Sequence, residues 1–247
     1  MKGIKSEIRF FPKCLAVTIS PIMAVVLLIA FAGCKRENQD FDPRERYGED
    51  IRSFAEGDPN RLPYLAGSDF QPVWKKQELP EDARRVPGFS FVDQNGQGFG
   101  SSELSGNIYL ANFFFTECNG ICPMIMPRLR QVQNDISDLQ KVEMISLSVT
   151  PDVDTPKVMK DYAGRLGIQE VNWHLLTGNR ERIYSLARDT FGADTELRSR
   201  KGAQDFLHSE EAFLVDRNGY LRGIYNVRGS GDLKRLVADI RLLHQEK

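Results

Sequence analysis

The sequence has 247 residues, of which 41% are hydrophobic and 27% are charged, enough apolar material for one globular domain with additional segments. Its formal net charge is −1, because 33 lysines and arginines are balanced by 34 acidic residues. This balance excludes a polybasic protein that binds nucleic acid. We find no internal repeat and no low-complexity tract, so repeat architectures are excluded as well.

Residues 1–33 have the pattern of a signal sequence rather than of folded structure. Basic residues precede an uncharged apolar run from Cys14 to Gly33, as in secretory signals. The run also approaches the length needed to span a bilayer, so an uncleaved membrane anchor is the alternative. The small residues in "FAGC" and the polar stretch after it resemble the lipobox of bacterial lipoproteins, although Phe31 replaces the usual Leu. We therefore expect Cys34 to be lipidated, and the domain to be extracytoplasmic and tethered to a bacterial membrane by a lipid anchor.

Residues 34–61 are charged and contain few large apolar side chains, which predicts a lipidated N-terminus followed by a flexible tether. Large apolar residues return in "RLPYLAGSDFQPVW", so the folded domain is expected over 62–247. Of the four cysteines, Cys14 would leave with the signal and Cys34 would carry lipid. Only Cys118 and Cys122 remain for chemistry, in a compartment where disulfides persist.

Strand-like and helix-like patterns alternate along the first half of this domain. The Asn-Gly pair in "GFSFVDQNGQGF" predicts a hairpin. The apolar runs over 107–115 and 142–149 predict strands that are buried on both faces. Apolar residues recur at helical spacing after the cysteines. A further helix is predicted from Pro156, with Thr155 as its cap and Gly167 as its stop.

The second half continues the alternation. A strand in "VNWHLL" precedes a helix through "NRERIYSLARDTFG". The segment "EAFLVDRNGYLRGIYN" predicts a hairpin that turns at 216–219, and the last helix begins near Ser230. Alternating strands and helices indicate an α/β domain with a mainly parallel sheet, completed by an antiparallel hairpin.

The cysteines lie four positions apart in "TECNGICP". A strand, a tight turn and then Pro123 predict that they flank a helix N-terminus, where backbone N–H groups and the helix dipole lower a cysteine pKa. The spacing permits a disulfide, and it also lets both sulfurs face one soft metal ion. A structural disulfide is disfavoured, because so short a loop removes little entropy from the unfolded chain. A redox couple and a metal site both stay open.

Three histidines are available as a further ligand. His174 in a predicted strand and His244 near the end of the last helix are typical of packing or surface positions. His208 occupies a loop before a strand, and in α/β sheets such loops gather at the end where ligands bind. Met124 and Met126 carry soft sulfurs, but their place on an amphipathic helix favours packing in the core.

Four motifs in order, "TECNGICP", "SVTPDVDTP", "WHLLTG" and "FLHSEEAFLVDRNG", resemble the SCO/SenC family of copper-binding, thioredoxin-fold proteins over roughly residues 86 to 247. The resemblance implies a thioredoxin-like α/β fold: a central mixed sheet flanked by helices, with an N-terminal hairpin and a C-terminal hairpin plus helix. It implies that Cys118, Cys122 and His208 bind copper, and that the two cysteines can also cycle between dithiol and disulfide. The implied partner is the copper-site subunit of a respiratory cytochrome c oxidase, which would receive copper or electrons in a transient complex.

The sequence departs from the family pattern at two acidic positions. Family members commonly carry Asp where this chain has Thr150, and often where it has Leu207. Fewer carboxylates should leave His208 less basic, since a nearby carboxylate favours the protonated imidazole. Asp152 and Asp154 lie close in sequence and are candidates to substitute for the missing acidic groups.

The motifs and the family resemblance leave three candidate functions. The leading hypothesis is a copper metallochaperone for oxidase assembly. The alternative is a thiol-disulfide oxidoreductase that reduces the oxidase or other envelope proteins with the same cysteines, although its four-residue spacing differs from C-x-x-C. A peroxiredoxin-like peroxidase fits poorly, because it needs a lone reactive cysteine in its own loop. Copper delivery and thiol reduction use the same atoms, so the sequence does not separate them.

Overall fold

The structure is a computed structural model that describes residues 61–74, 79–118, 120, 122–193 and 209–246. The predicted signal segment, Cys34, most of the predicted tether and His208 lie outside the described residues. The boundaries at 33 and 61 therefore stay predictions. None of the helices in the described part of the chain combines the length and the apolar character that a membrane crossing requires.

The described strands are β1 (Tyr64–Ala66), β2 (Gln71–Val73), β3 (Ser90–Asp93), β4 (Gly98–Gly100), β5 (Ile108–Phe114), β6 (Val142–Ser148), β7 (Trp173–Thr177), β8 (Glu211–Val215) and β9 (Leu221–Asn226). The described helices are α1 (Ser101–Leu104), α2 (Cys122–Asp135), α3 (Pro156–Leu166), α4 (Arg180–Ser185) and α5 (Ser230–Gln245). A π-helical turn, Leu186–Thr190, follows α4 directly.

The main sheet has seven strands in the order β4-β3-β7-β6-β5-β8-β9. Strands β5, β6 and β7 run parallel, whereas β3, β4, β8 and β9 pair antiparallel with their neighbours. This confirms the predicted mixed α/β sheet with a hairpin at each edge. The parallel part is smaller than the expected mainly parallel sheet, because both hairpins join it antiparallel. The small sheet of β1 and β2 and the helix α1 were not predicted.

Strand β5 shows how the sequence builds two cores. Every one of its seven residues is buried, and successive side chains point to opposite faces of the sheet. Leu110 and Phe114 join the apolar cluster that also contains side chains of α2, α3 and α5. Ala111 and Phe113 join the cluster on the other face, with side chains of α4 and the π-helical turn. Each fully buried large apolar side chain contributes roughly 1.5–3 kcal/mol.

Helix α3 begins and ends where its local signals predict. The Thr155 hydroxyl accepts a hydrogen bond from the backbone N–H of Val158, and Pro156 is the first helical residue. Gly167 ends the helix in the left-handed conformation, with φ of 66°. The helix start is therefore fixed close to the carboxyl end of β6, and the intervening loop is held beside the loop that follows β5.

Candidate metal centre

The two cysteines lie together at the carboxyl end of the central parallel strand. Strand β5 ends at Phe114, Cys118 lies in the loop that follows, and Cys122 is the first residue of α2. No disulfide joins the two described cysteines, which are only 7% and 5% exposed. The backbone N–H of Cys122 donates a hydrogen bond to Cys118 Sγ at 3.4 Å. The structure therefore brings the pair together at a helix N-terminus, where negative charge on sulfur is favoured.

The pKa of Cys122 differs from the sequence-based expectation. Burial raises the pKa of its thiol to about 12, and backbone hydrogen bonding at Phe115 offsets this only in part. The expected lowering by the helix N-terminus is therefore wrong for Cys122, because the thiol is packed in the apolar cluster beneath α2. A soft cation or a reacting partner must displace this proton before the sulfur becomes a ligand or a nucleophile.

A buried carboxylate holds the loop that carries Cys118. Asp154 is 0% exposed, and its Oδ1 accepts hydrogen bonds from the backbone N–H of Thr116 at 3.3 Å and from the Thr116 hydroxyl. Its Oδ2 accepts from the hydroxyls of Ser148 and Thr150. Four donors thus satisfy a carboxylate that would be costly to bury without them.

Thr150 takes a defined part in this network. It is buried, its hydroxyl donates to Asp154 Oδ2 at 2.9 Å, and its N–H donates to Ser148 Oγ at 3.1 Å. A carboxylate at this position would face Asp154 in a buried place, whereas the hydroxyl supplies a donor. Asp152, the other candidate substitute, is exposed and pairs with Arg180. Of the two acidic neighbours, Asp154 therefore points inward to the cysteine loop and Asp152 points outward.

Tyr162 faces the same site from α3. Its pKa is raised, first by burial and then by the charges of Cys122, Cys118 and Asp154. Its ring lies 5.7 Å from that of Phe114, centroid to centroid. Sequence reasoning missed Tyr162, although Met159, Tyr162 and Ala163 follow the i, i+3, i+4 spacing of a buried helix face. It also missed Thr116 and Ser148, whose hydroxyls meet Asp154 only in the folded chain.

The described histidines lie at the opposite end of the parallel strands from the cysteines. His174 is the second residue of β7 and stacks on Phe99, with ring centroids 3.9 Å apart. His244 Nε2 lies 3.0 Å from the carbonyl of Gln140, just before β6. These are packing and surface positions, as expected. His208 is not among the described residues, so its role as a ligand stays a prediction.

The methionines divide into one core residue and one surface residue. Met126 is fully buried, and its sulfur accepts a hydrogen bond from Asn112 Nδ2 at 3.7 Å. Met124 is 42% exposed, so the expectation of a core position is wrong for it. The helix itself continues through Pro127.

The described donor set suits a soft metal ion but does not complete a site. Within the ranges that the structure describes, no group of three His, Cys, Asp or Glu side chains could hold a metal ion. The two sulfurs are adjacent, and thiolates prefer copper(I) or zinc to magnesium or calcium. A third ligand for a metal ion bound by these sulfurs would have to come from outside the described residues or from a partner.

The mixed sheet has helices on both faces, and a cysteine pair lies at the start of α2. These features define a thioredoxin-like domain. The model of the SCO1/SenC family matches residues 77–245. The chain therefore belongs to the SCO1/SenC family. This agrees with the family resemblance of the cysteine and loop motifs.

Several relatives support this assignment. A SCO1 protein homolog of Bacillus subtilis is 28% identical over 158 residues, which cover 63% of this chain and 81% of that protein. A SCO1/SenC family lipoprotein of Bacillus anthracis has a solved structure that is 27% identical, with a TM-score of 0.59 over 66% of this chain and 96% of that one. BsSco, described as having a disulfide switch and as a member of the Sco family of cytochrome c oxidase assembly proteins, is 26% identical, with a TM-score of 0.58 over 70% of this chain and 100% of that one.

Proposed function

We propose that the chain is a membrane-tethered extracytoplasmic copper metallochaperone that serves the dinuclear copper site of a respiratory cytochrome c oxidase. The observation that carries the proposal is the pair of adjacent cysteines at the start of α2 in a member of the SCO1/SenC family. A Stutzerimonas stutzeri relative, 29% identical over 147 residues that cover 59% of this chain and 70% of that protein, is named as a candidate copper-binding protein. BsSco is described as belonging to an oxidase assembly family.

In this proposal copper is the cargo of the protein. Cys118 and Cys122 lose their protons and bind the ion with His208 as the third ligand, which gives two soft sulfurs and one imidazole. The ion then passes to the recipient by ligand exchange within a transient complex. Because burial raises the pKa of Cys122 to about 12, binding displaces a proton throughout the neutral range, and the affinity should fall as the pH falls.

Titration of the purified chain with copper(I) and copper(II), at neutral and mildly acidic pH, tests the proposed ligands. We expect one ion per chain, with binding lost in the Cys118→Ser/Cys122→Ser variant and weakened in His208→Ala. His244→Ala is the matched control, because the His244 ring contacts the Gln140 carbonyl at the end of the strands opposite to the cysteines. Wild-type affinity in both site variants would show that these residues are not the ligands.

Thiol-disulfide exchange is the second candidate, favoured by the short distance from Cys118 Sγ to the N–H of Cys122 and by the disulfide switch described for BsSco. In this reaction the dithiol of the chain reduces a disulfide of the recipient. Cys118 and Cys122 form an intramolecular disulfide, and two electrons and two protons pass to the recipient's cysteines. His208 has no role in this exchange.

Mixing experiments with the apo copper subunit of an oxidase separate the two candidates. The copper-loaded chain is added to the subunit with reduced cysteines, and the metal content of each protein is measured after separation. The metal-free dithiol chain is added to the subunit with oxidised cysteines, and the free thiols of each protein are counted. Metal transfer in the first mixture supports delivery, and thiol transfer confined to the second supports reduction.

Membrane attachment through lipid on Cys34 is a further part of the proposal. It rests on the "FAGC" motif, and the Bacillus anthracis relative is described as a lipoprotein. We expect the wild-type chain in the membrane fraction, with a mature N-terminus whose mass includes diacylglycerol on Cys34. An unprocessed N-terminus on the membrane-bound chain would instead support the uncleaved anchor.

A further inference from the structure

The hydrogen bonds of Asp154 connect two loops that are distant in sequence. Thr116 lies 38 residues before Asp154, and it belongs to the loop that carries Cys118. Both donors on Oδ1 come from Thr116, through its N–H and its hydroxyl. Both donors on Oδ2 come from Ser148 and Thr150 at the end of β6. The carboxylate therefore joins the cysteine loop to the end of the neighbouring strand.

This connection is stiff for a physical reason. Hydrogen bonds to an ionised acceptor are roughly twice as strong as neutral ones, and Asp154 has no exposure to water that could replace a lost donor. The loop is also fixed beside this point by the sheet, where the N–H of Val149 donates to the carbonyl of Phe114 at 2.9 Å. Thr116 is thus held at its backbone and its side chain, two residues before Cys118.

We propose that Asp154 is a positioning residue for the cysteine pair. Acting through Thr116, it fixes Cys118 Sγ beside the N–H of Cys122, and so controls how readily the loop opens and exposes the sulfur. Thr150 makes this possible as a hydroxyl donor, because a second carboxylate at that position would repel the first. The effect of Asp154 on the exposure of the sulfur does not depend on the proposed function. Any effect of Asp154 on copper binding does rest on that function.

Thiol alkylation of the purified full-length chain measures loop opening without any metal. The reduced chain is treated with iodoacetamide, and the modification of Cys118 and of Cys122 is followed separately by mass spectrometry. Thr116→Val removes the hydroxyl donor at nearly constant shape, and we expect it to speed alkylation of Cys118 about tenfold. Thr116→Ser keeps the hydroxyl and should restore the wild-type rate.

Two further variants distinguish positioning from general destabilisation. Asp154→Ala removes the acceptor and should raise the Cys118 rate in the same way, and Thr116→Val should then add nothing to it, because both changes break one connection. Asp152→Ala is the matched control in the same loop, since that carboxylate is exposed, and it should leave the rate unchanged. A purely structural role would lower the melting temperature in all destabilised variants and keep the ratio of Cys118 to Cys122 rates constant.

The inference is overturned if Thr116→Val alkylates within about twofold of wild type, or if the effects of Thr116→Val and Asp154→Ala are additive. If Asp154→Ala does not fold, the Thr116→Val and Thr116→Ser pair decides alone. The sulfur-to-copper charge-transfer absorption of the same variants is recorded in parallel. A wild-type chain without copper binding would refute the proposed function and leave the alkylation result standing, whereas copper binding with unchanged alkylation would refute only the inference.

Discussion

Asp154 and Glu143 are carboxylates at opposite ends of the parallel strands, and their hydrogen bonding is very different. At the carboxyl end, Asp154 accepts from four donors. At the amino end, Glu143 lies 3.8 Å from His174 Nε2, beyond hydrogen-bond reach. Asp93, which lies 3.8 Å from His174 Nδ1, accepts hydrogen bonds on its Oδ1 from the backbone N–H groups of Asn95 and Gln97. Glu143 Oε2 and His174 Nδ1 are buried without a hydrogen-bond partner among the described residues.

This difference shows what each buried charge contributes. A carboxylate with every donor in place fixes the geometry of the loops around it, because each lost donor leaves an unpaired oxygen. Groups that stay beyond hydrogen-bond reach fix no geometry, and their burial costs free energy that other contacts must offset. The carboxylate with four donors is the one that holds the cysteine loop.

Replacement of Asp154 should have the largest effect on stability. In Asp154→Ala, three hydroxyls and one N–H lose their acceptor in a buried place. We expect the free energy of unfolding to fall by about 3 kcal/mol or more, measured by urea denaturation. A loss below about 1 kcal/mol would mean that water or other acceptors replace the carboxylate, and the contrast between the two ends would disappear.

His174 should make stability depend on pH. Burial lowers the pKa of His174, while Asp93 and then Glu170 act in the opposite direction. The folded state thus binds the proton less readily than the unfolded state, and stability is lost as the pH falls below the ordinary value of 6.5 toward the lower folded pKa. Glu143 Oε2 also lies 3.8 Å from His174 Nε2, and Glu170, whose charge acts on this histidine, pairs with Lys160 at 3.8 Å.

We therefore expect the free energy of unfolding of the wild type to fall by about 1 kcal/mol, through His174, between neutral pH and about pH 5. This fall should be absent in His174→Gln. Unfolding free energies of both chains across this range measure the difference. If the unfolding free energy depends on pH equally in both chains, the His174 imidazole is not preferentially neutral in the folded state.

Neutralisation of Glu143 should have the smallest effect on the free energy of unfolding, and its sign should be opposite to that of the Asp154 replacement. Burial raises the pKa of Glu143. Above this raised pKa the ionised carboxylate therefore lowers the stability of the fold, and the loss disappears as the pH falls below the ordinary pKa of 4.5. Glu143→Gln should leave stability unchanged or raise it by up to about 1 kcal/mol at neutral pH. A marked loss would indicate a water-bridged contact with His174.

Local signals in the sequence predicted the elements that depend on local chemistry. The cap at Thr155, the stop at Gly167 and the buried run of β5 all occur where the pattern places them. The strands β1 and β2 have three residues each, which is too short for a periodic pattern to show. Strand β3 was predicted as part of a hairpin, but its antiparallel pairing with β7 is a tertiary contact that no local motif encodes.

The candidate site was likewise predictable only where local sequence patterns determine it. The strand, the tight turn and Pro123 were sufficient to predict that Cys118 and Cys122 flank a helix N-terminus. The raised pKa of Cys122 was not predictable, because it depends on how deeply α2 packs into the core. The link from Thr116 to Asp154 was missed for the same reason, since these residues meet only when β5 and β6 pair.

If the chain is the copper chaperone proposed above, the low exposure of both cysteines determines which molecules can exchange with a bound ion. With 7% and 5% of these residues accessible, a small chelator in solution meets little of either sulfur, however tightly it binds copper at equilibrium. Exchange then follows the rate at which the Cys118 loop moves, and a protein that engages this loop gains an advantage that a free chelator lacks. Selection of the recipient thus becomes a matter of kinetics rather than of relative affinity.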